Sequence, residues 1–207
     1  ARAAAGAWAR PPAARCFGGA ASKVVNTLQA ELKHEQEQYT KPDVPKAVLD
    51  KFKLVEKDGD VNMMLEREMG GKMIRIEWQI KSPFDPDEDM EGGEAESAPT
   101  DFSVTVEDKS GGAGICFYCS TQTGEDHRYV LGNVKSFANA EEKDSISGYN
   151  GPDFEDIDDK LQEAFDEYLA ELGMNNDVCD FVDAMAEDKE QREYIRWLKL
   201  SKEFLES

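Results

Sequence analysis

Apolar residues in the middle of the chain recur at every second position, and this alternation constrains the fold more than any other feature. Within residues 72–82, Ile74, Ile76, Trp78 and Ile80 alternate with charged or polar residues. Successive side chains of a strand point to opposite faces, so the pattern predicts a strand with one buried face and one solvated face. Such strands are typical of antiparallel sheets.

Other stretches predict further strands of the same sheet. Asp58-Gly59 and Gly70-Gly71 are tight-turn signals between alternating segments. The predicted strands lie around Phe52 and Leu54, over 61–69, over 72–82, from Phe102 to Val106, over 114–121, and as one or two strands between His127 and Phe137. The succession therefore predicts six or seven antiparallel strands.

The apolar spacing changes to the helical period at both ends of the chain. Residues 22–39 predict an N-terminal helix. After the sheet, Gly173 is expected to end a helix, with Met174 as the hydrophobic partner of a Schellman cap. The helices predicted there run from an N-cap at Asp153 to Gly173, over 176–187 and over 188–205. The order helix, sheet, helices predicts an α+β fold.

The chain is strongly acidic, with 44 acidic and 24 basic residues and a formal net charge of −20. Residues 1–30 contain no acid, so the imbalance lies in the rest of the chain. A surface of this kind repels phosphate backbones, so we expect no direct binding of nucleic acid. It attracts basic proteins instead. The alternative is that the acidity only maintains solubility.

The first residues have the composition of a targeting segment. Residues 1–21 are rich in Ala and Arg, and Arg10 and Arg15 interrupt any apolar segment. This composition is typical of a mitochondrial transit peptide, with processing expected near Gly18. A merely disordered N-terminus is the alternative. The remaining residues, 22–207, are expected to form a single domain, and no apolar run is long enough to predict a membrane span.

A loop over 83–100 is dense in carboxylates and is expected to be disordered. It resembles a calcium loop, but position 6 is Met90 where Gly is required, so we predict no specific metal site. Weak, diffuse binding of divalent cations stays open. The carboxylates predicted to contact partners are Asp85, Asp87, Glu88, Asp89, Glu91, Glu94 and Glu96 in this loop, and Asp156, Asp159, Glu163 and Asp166 on the following helix.

Cys116 and Cys119 form a Cys-x-x-Cys motif. A structural zinc site needs four ligands, usually from a second such pair, and a redox pair normally lies at a helix N-terminus. In a strand, residues three apart point to opposite faces, so we expect two core cysteines, with a metal or redox role as the alternative. The chain shows no catalytic constellation, and we predict no cofactor.

The last third of the chain contains four distinctive segments: GPDF at 151–154, LQEAFDEYL at 161–169, Gly173-Met174 and KEQREYIRWL at 189–198. Together they resemble the C-terminal signature of the mitochondrial acidic matrix protein family, also called the mitochondrial glycoprotein family. This is the family of the human receptor for the globular heads of complement, or hyaluronan-binding protein. The resemblance covers about residues 22–206.

The resemblance implies a consecutively wound seven-stranded antiparallel sheet, flanked by one N-terminal and two C-terminal helices, in a doughnut-shaped homotrimer. It also implies a non-enzymatic, chaperone-like adaptor of the mitochondrial matrix. Such an adaptor would bind mitochondrial RNA-binding or ribosomal proteins and support RNA processing or editing, ribosome assembly or translation. A divalent-cation-buffering protein or an uncharacterised enzyme is the alternative.

The last predicted helix is apolar on more than one side, which is typical of a helix covered from two directions. The residues predicted to form subunit contacts are Tyr194, Trp197, Leu198 and Phe204. Complete burial within one chain is the alternative. A stripe of Arg192, Arg196 and Lys199 on the same helix is expected to pair with acids such as Glu163 or Asp166, a basic partner-binding patch being the alternative.

Overall fold

Six antiparallel strands form one sheet in the computed structural model, which describes residues 19–80, 99–109, 112–122 and 128–207. Each strand pairs with the next along the chain. The strands are β1 (Lys53–Glu56), β2 (Asn62–Met69), β3 (Lys72–Gln79), β4 (Asp101–Asp108), β5 (Gly114–Thr121) and β6 (Tyr129–Phe137). The seven strands implied by the resemblance are corrected to six within the described residues, because 129–137 forms one strand where one or two were predicted.

The turn between β2 and β3 shows how glycine sets the register. Gly70 and Gly71 have φ angles of 60° and 79°, which side-chain-bearing residues rarely adopt. Two positive φ angles in succession are typical of the type I′ hairpin, whose twist matches that of the strands. Met69 therefore pairs directly with Lys72, and the alternation predicted for this region follows from that pairing.

The core lies between one face of the sheet and the helices that follow it. The alternating residues Ile74, Ile76 and Trp78 are almost completely buried. Trp78 meets Phe181 edge to face at 6.4 Å between ring centroids. Burial of aromatic and branched side chains of this kind contributes about 1.5–3 kcal/mol each, so this face anchors the helices.

The helices are α1 (Gly19–Gln38), α2 (Lys46–Leu49), α3 (Ala140–Asp144), α4 (Asp159–Leu172) and α5 (Asn176–Glu206), with a 3-10 turn at Phe154–Asp156. The described residues divide into two compact units. The helical unit contains residues 19–38 and 195–207, and the sheet unit contains the described residues of 39–194. Residues 19–21 of the predicted transit segment lie in α1, and residues 1–18 lie outside the described residues.

The helix predicted from Asp153 begins later than expected. Asp153 makes no capping hydrogen bond and instead forms an isolated antiparallel bridge with Asn133. Asp153 is followed only by the 3-10 turn at Phe154–Asp156, and the extended backbone of Ile157, with ψ of 160°, separates that turn from α4. The side chain of Asp158 caps α4 by accepting a hydrogen bond from the amide of Lys160.

The predicted end of that helix is confirmed. Gly173 has φ of 102°, and its amide donates to the carbonyl of Ala170. The amide of Met174 donates to the carbonyl of Leu169, and the Met174 side chain is buried. These two bonds and the buried contact are the features of a Schellman cap.

Two further sequence expectations differ from the structure. Residues 176–187 and 188–205 form the single helix α5, because the segment Asn176–Glu206 contains neither glycine nor proline to divide it. The loop predicted to be disordered over 83–100 lies outside the described residues up to residue 98. Its last residue, Thr100, is ordered, buried and hydrogen-bonded to Thr121.

Candidate functional site

An exposed acidic surface runs along α4 and the turn before it. Residues 155–172 contain eight carboxylates and one basic residue, Lys160. We call these carboxylates the α4 acidic surface; they are Glu155, Asp156, Asp158, Asp159, Glu163, Asp166, Glu167 and Glu171. All eight residues are exposed, so the segment offers solvent a strongly negative face.

The apolar residues of α4 decide which way the carboxylates point. Phe165 and Tyr168 lie against Phe117 of β5, at 5.4 Å and 6.4 Å between ring centroids. Leu169 and Leu172 are buried beside them. Because one stripe of the helix is committed to the sheet, the intervening acids are held on the solvent side.

Four of the predicted contact carboxylates belong to this surface. Asp156 lies in the 3-10 turn, Asp159 is the first residue of α4, and Glu163 and Asp166 follow on the helix. Residues 85–96, which hold the other seven, lie outside the described residues. Sequence reasoning omitted four members of the surface, although the helical spacing from Glu163 to Glu167 and Glu171 was a usable signal.

The face of the sheet opposite the core, here called the open face, differs from α4 because several of its acids are paired with bases. Lys53 of β1 lies 2.7 Å from Glu66 of β2. Glu107 pairs with Arg75 and also accepts from Lys143 at 3.2 Å. Further pairs on these strands join Lys72 to Asp108 and Lys109 to Glu68. The negative charge of the chain is therefore concentrated on α4 more than on the described sheet.

The two cysteines of the Cys-x-x-Cys motif point to opposite faces, as predicted. Cys116 accepts a hydrogen bond from Thr105 on the open face, whereas Cys119 is part of the core cluster. Both thiols are free and buried. Burial raises the pKa of the Cys119 thiol, and it raises that of Cys179 to about 12. Such thiols are inert, and no group of three or more metal-ligating side chains occurs in the described part of the chain.

The pairing predicted for Arg192 is wrong. Its guanidinium contacts Asp188, one turn earlier on α5, and Glu56 of β1, at 2.7 Å and 2.6 Å. Neither partner lies on α4. Burial opposes the charge of Arg192, but hydrogen bonds to these two carboxylates raise its pKa above the ordinary value. The contact with Asp188 has the i,i+4 spacing that a sequence can show, whereas Glu56 is 136 residues away and could not be found in this way.

The predicted subunit-contact residues occupy different environments. Trp197 is 56% exposed and Phe204 is 72% exposed, whereas Leu198 is 1% exposed. Tyr194, the last residue of the sheet unit, is half-buried. Leu198 is thus already covered within a single chain, and Trp197 and Phe204 are available at the surface. Among the described helices, none combines the length and apolar character of a membrane span.

Comparison with known proteins places this architecture among related folds. A hypothetical protein of Leishmania major, described as a sequence homologue of human p32, superposes with a TM-score of 0.71 at 19% identity, covering 90% of this chain and 99% of that one. The p22 protein of Trypanosoma brucei gives a TM-score of 0.70 at 21% identity, covering 90% and 98%. At these identities the likeness establishes the fold.

Comparison with related sequences identifies the family of this chain. A mitochondrial protein of Arabidopsis thaliana is 30% identical over 190 residues, which are 89% of this chain and 72% of that protein. The mitochondrial acidic protein mam33 of Schizosaccharomyces pombe is 23% identical over 220 residues, covering 91% and 80%. The sequence profile of MAM33, described as mitochondrial glycoprotein, matches residues 28–205. The chain therefore belongs to the mitochondrial glycoprotein family.

Proposed function

We propose that the protein is a non-enzymatic, chaperone-like adaptor of the mitochondrial matrix that binds basic proteins through the α4 acidic surface. The observation that carries this proposal is the concentration of eight exposed carboxylates and one base over residues 155–172. The names of its sequence relatives support a mitochondrial location. The clients would be basic RNA-binding or ribosomal proteins, and the role would lie in RNA processing or editing, ribosome assembly or translation.

The proposal follows from the reach of the electrostatic field. The 14 residues of α4 extend over about 20 Å, at 1.5 Å for each residue. At physiological ionic strength the Debye length is about 8 Å, which is shorter than the helix. A client therefore gains binding free energy only from those carboxylates that it contacts closely. At low salt the same field raises the rate of encounter with cationic partners. The carboxylates of 85–96 would extend the surface.

A charge-matched pair of variants tests the surface itself. The first variant carries Asp159→Asn, Glu163→Gln and Asp166→Asn. The control removes three exposed carboxylates at scattered positions, with Asp50→Asn, Asp144→Asn and Glu203→Gln. We expect the α4 variant to lose about tenfold in affinity for a purified basic client at low salt, since exposed ion pairs contribute about 0.2–1 kcal/mol each.

The control has the same net charge, so it separates a local surface from overall acidity. Equal loss in both variants would mean that no defined site exists. Client binding by the unsubstituted chain should also weaken steeply between low salt and 1 M salt, where the Debye length is about 3 Å. Binding that persists unchanged at 1 M salt would reject the electrostatic mechanism.

We also propose a homotrimer, with Trp197 and Phe204 in the subunit contacts. Large exposed apolar side chains on one helix are typical of association surfaces. Their exposure within a single chain, at 56% and 72%, supports the proposal. Direct nucleic-acid binding conflicts with the net charge of −20, so a gel shift with RNA should require a basic client protein.

A further inference from the structure

The signature segment that begins at Lys189 takes part in a cluster of ionic groups, built around the buried Lys189, that the proposed client surface does not include. Lys189 is 0% exposed, and a lysine is almost never completely buried unless its ammonium group is paired. Its ammonium donates to the carbonyl of Lys57 at 2.8 Å and lies 2.9 Å from the carboxylate of Glu193. A carboxylate oxygen of Glu56 lies 3.6 Å from the same ammonium group.

The carboxylates of this cluster are shared among several donors. Glu56 binds Arg192 as well as Lys189, and Glu193 also accepts the backbone amide of Gly59 at 2.8 Å. Asp188, whose side chain is 4% exposed, accepts from Arg192 on one oxygen and from the hydroxyl of Tyr39 on the other. No cation or carboxylate of the cluster is thus left uncompensated in the low-dielectric surroundings.

The cluster joins three segments that are far apart in the sequence. Residues 188–193 belong to α5, residues 56–59 form the end of β1 and its hairpin turn, and Tyr39 begins the connector that leads from α1 to α2. Tyr39 is also the first residue of the sheet unit, and Tyr194 is its last. The cluster therefore lies wholly within the sheet unit and next to both of its chain boundaries.

We propose that this cluster is an ionic clamp that holds the connector after α1 and the β1–β2 hairpin against α5, so that both segments open together when it is broken. The clamp gives the signature segment a role that its position in sequence does not reveal. Apolar packing of the connector is sparse, since none of residues 39–45 is fully buried and Val44 is only half-buried against the core. Segments with few buried apolar contacts open locally at lower free energy than the core.

Hydrogen exchange of the full chain tests the clamp. In Arg192→Met, which removes the cation shared by Asp188 and Glu56, we expect amides of 40–45 and 57–62 to exchange about 10- to 100-fold faster, the factor expected for losing a charge-assisted hydrogen bond. Amides of β3 and β4 should keep their protection. Lys199→Met removes an exposed cation from the same helix and should not change the exchange rates of the amides of 40–45 or of 57–62.

A milder substitution keeps the test informative if Arg192→Met unfolds the whole protein. Tyr39→Phe removes only the hydroxyl that donates to Asp188, so it should accelerate exchange over 40–45 and leave the hairpin amides less affected than Arg192→Met does. Uniform acceleration that includes β3 and β4 in both variants would show a general stabilising role and overturn the clamp. Unchanged exchange over 40–45 and 57–62 in Arg192→Met would overturn it too.

Discussion

The Oδ1 atom of Asp183 on α5 accepts a hydrogen bond from the hydroxyl of Thr121, the last residue of β5, at 2.8 Å. The same oxygen accepts from the hydroxyl of Thr100, just before β4, at 2.6 Å. Arg128, just before β6, reaches the other oxygen at 3.4 Å. One carboxylate thus ties the ends of three strands to the helix that covers the core.

Replacing Asp183 with Ala should lower the free energy of unfolding by about 3 kcal/mol, because it leaves the hydroxyls of Thr100 and Thr121 without their shared acceptor and removes one partner of Arg128. Urea denaturation measures this change. Asp180→Ala is the matched control: Asp180 also pairs with Arg128, but its side chain is 51% exposed. Asp180→Ala should lower the free energy of unfolding by only about 0.5 kcal/mol. Equal costs for the two variants would show that the shared acceptor at Asp183 has no special role.

Gly151 is expected to be intolerant of any side chain. A Cβ added there would lie 1.9 Å from the carbonyl oxygen of Val134, and its φ of 90° disfavours L residues. Gly70→Ala is a control for the backbone cost alone, since a Cβ at Gly70 has no neighbour within 4 Å. We expect Gly70→Ala to lower the free energy of unfolding by about 1–2 kcal/mol and Gly151→Ala to lower it by clearly more. Thermal unfolding followed by circular dichroism makes the comparison.

Cys119 and Cys179 should resist alkylation in the native protein. Burial raises the pKa of both thiols, that of Cys179 to about 12, so at pH 8 the reactive thiolate is scarce and inaccessible. Peptide mass spectrometry after iodoacetamide treatment should find both unlabelled in the folded chain and labelled after denaturation. Rapid labelling of either one in the native chain would contradict the burial described here.

The same shifts predict a fall in stability at high pH. The unfolded chain releases these protons near pH 8.5, whereas the folded chain retains that of Cys179 until about pH 12. The folded state then binds more protons, so stability is intact below pH 8.5 and is lost progressively towards pH 12. Denaturation series at pH 8 and pH 10 measure the loss, which should be smaller in Cys119→Ala/Cys179→Ala.

The proposed trimer predicts a defined effect of two surface substitutions. Trp197→Ser with Phe204→Ser should shift the mass measured by light scattering from three chains towards one. Ile146→Ser is the control, because Ile146 is an exposed apolar residue as well, at 102%, but lies on the loop after α3. A single-chain mass for the unsubstituted protein would reject the trimer. A trimer that tolerates the double substitution would reject these contacts.

Local pattern was sufficient to predict the strands and the end of α4, but not the short helices α2 and α3 or the contacts between distant residues. The alternation through Ile74, Ile76 and Trp78 predicted a half-buried strand, and Gly173 predicted a helix end, because both signals act within a few residues. The start of α4 was misplaced because the bridge between Asp153 and Asn133 joins residues from different elements. A capping residue and an extended, bridged residue look alike in sequence.

The candidate site also combines features that local pattern predicts with contacts that only folding determines. The helical spacing of apolar and acidic residues was enough to expect Asp159, Glu163 and Asp166 on one exposed helix, since the amphipathic period is a property of the segment itself. Helical spacing could also have indicated Glu193 for Lys189 and Asp188 for Arg192, since both pairs are four residues apart on α5. Their shared partner Glu56 could not be predicted in this way. The described residues include 35 acids, and only the packing of α5 against β1 selects Glu56 among them.

By itself, the sequence determined the strand and helix periods, the acidic balance and the family, because each is a property of composition or of neighbouring residues. Only the tertiary structure decided which charges are compensated and which remain exposed. The physical reason is that a buried ion requires a partner at hydrogen-bonding distance, and chain folding rather than sequence separation determines that distance.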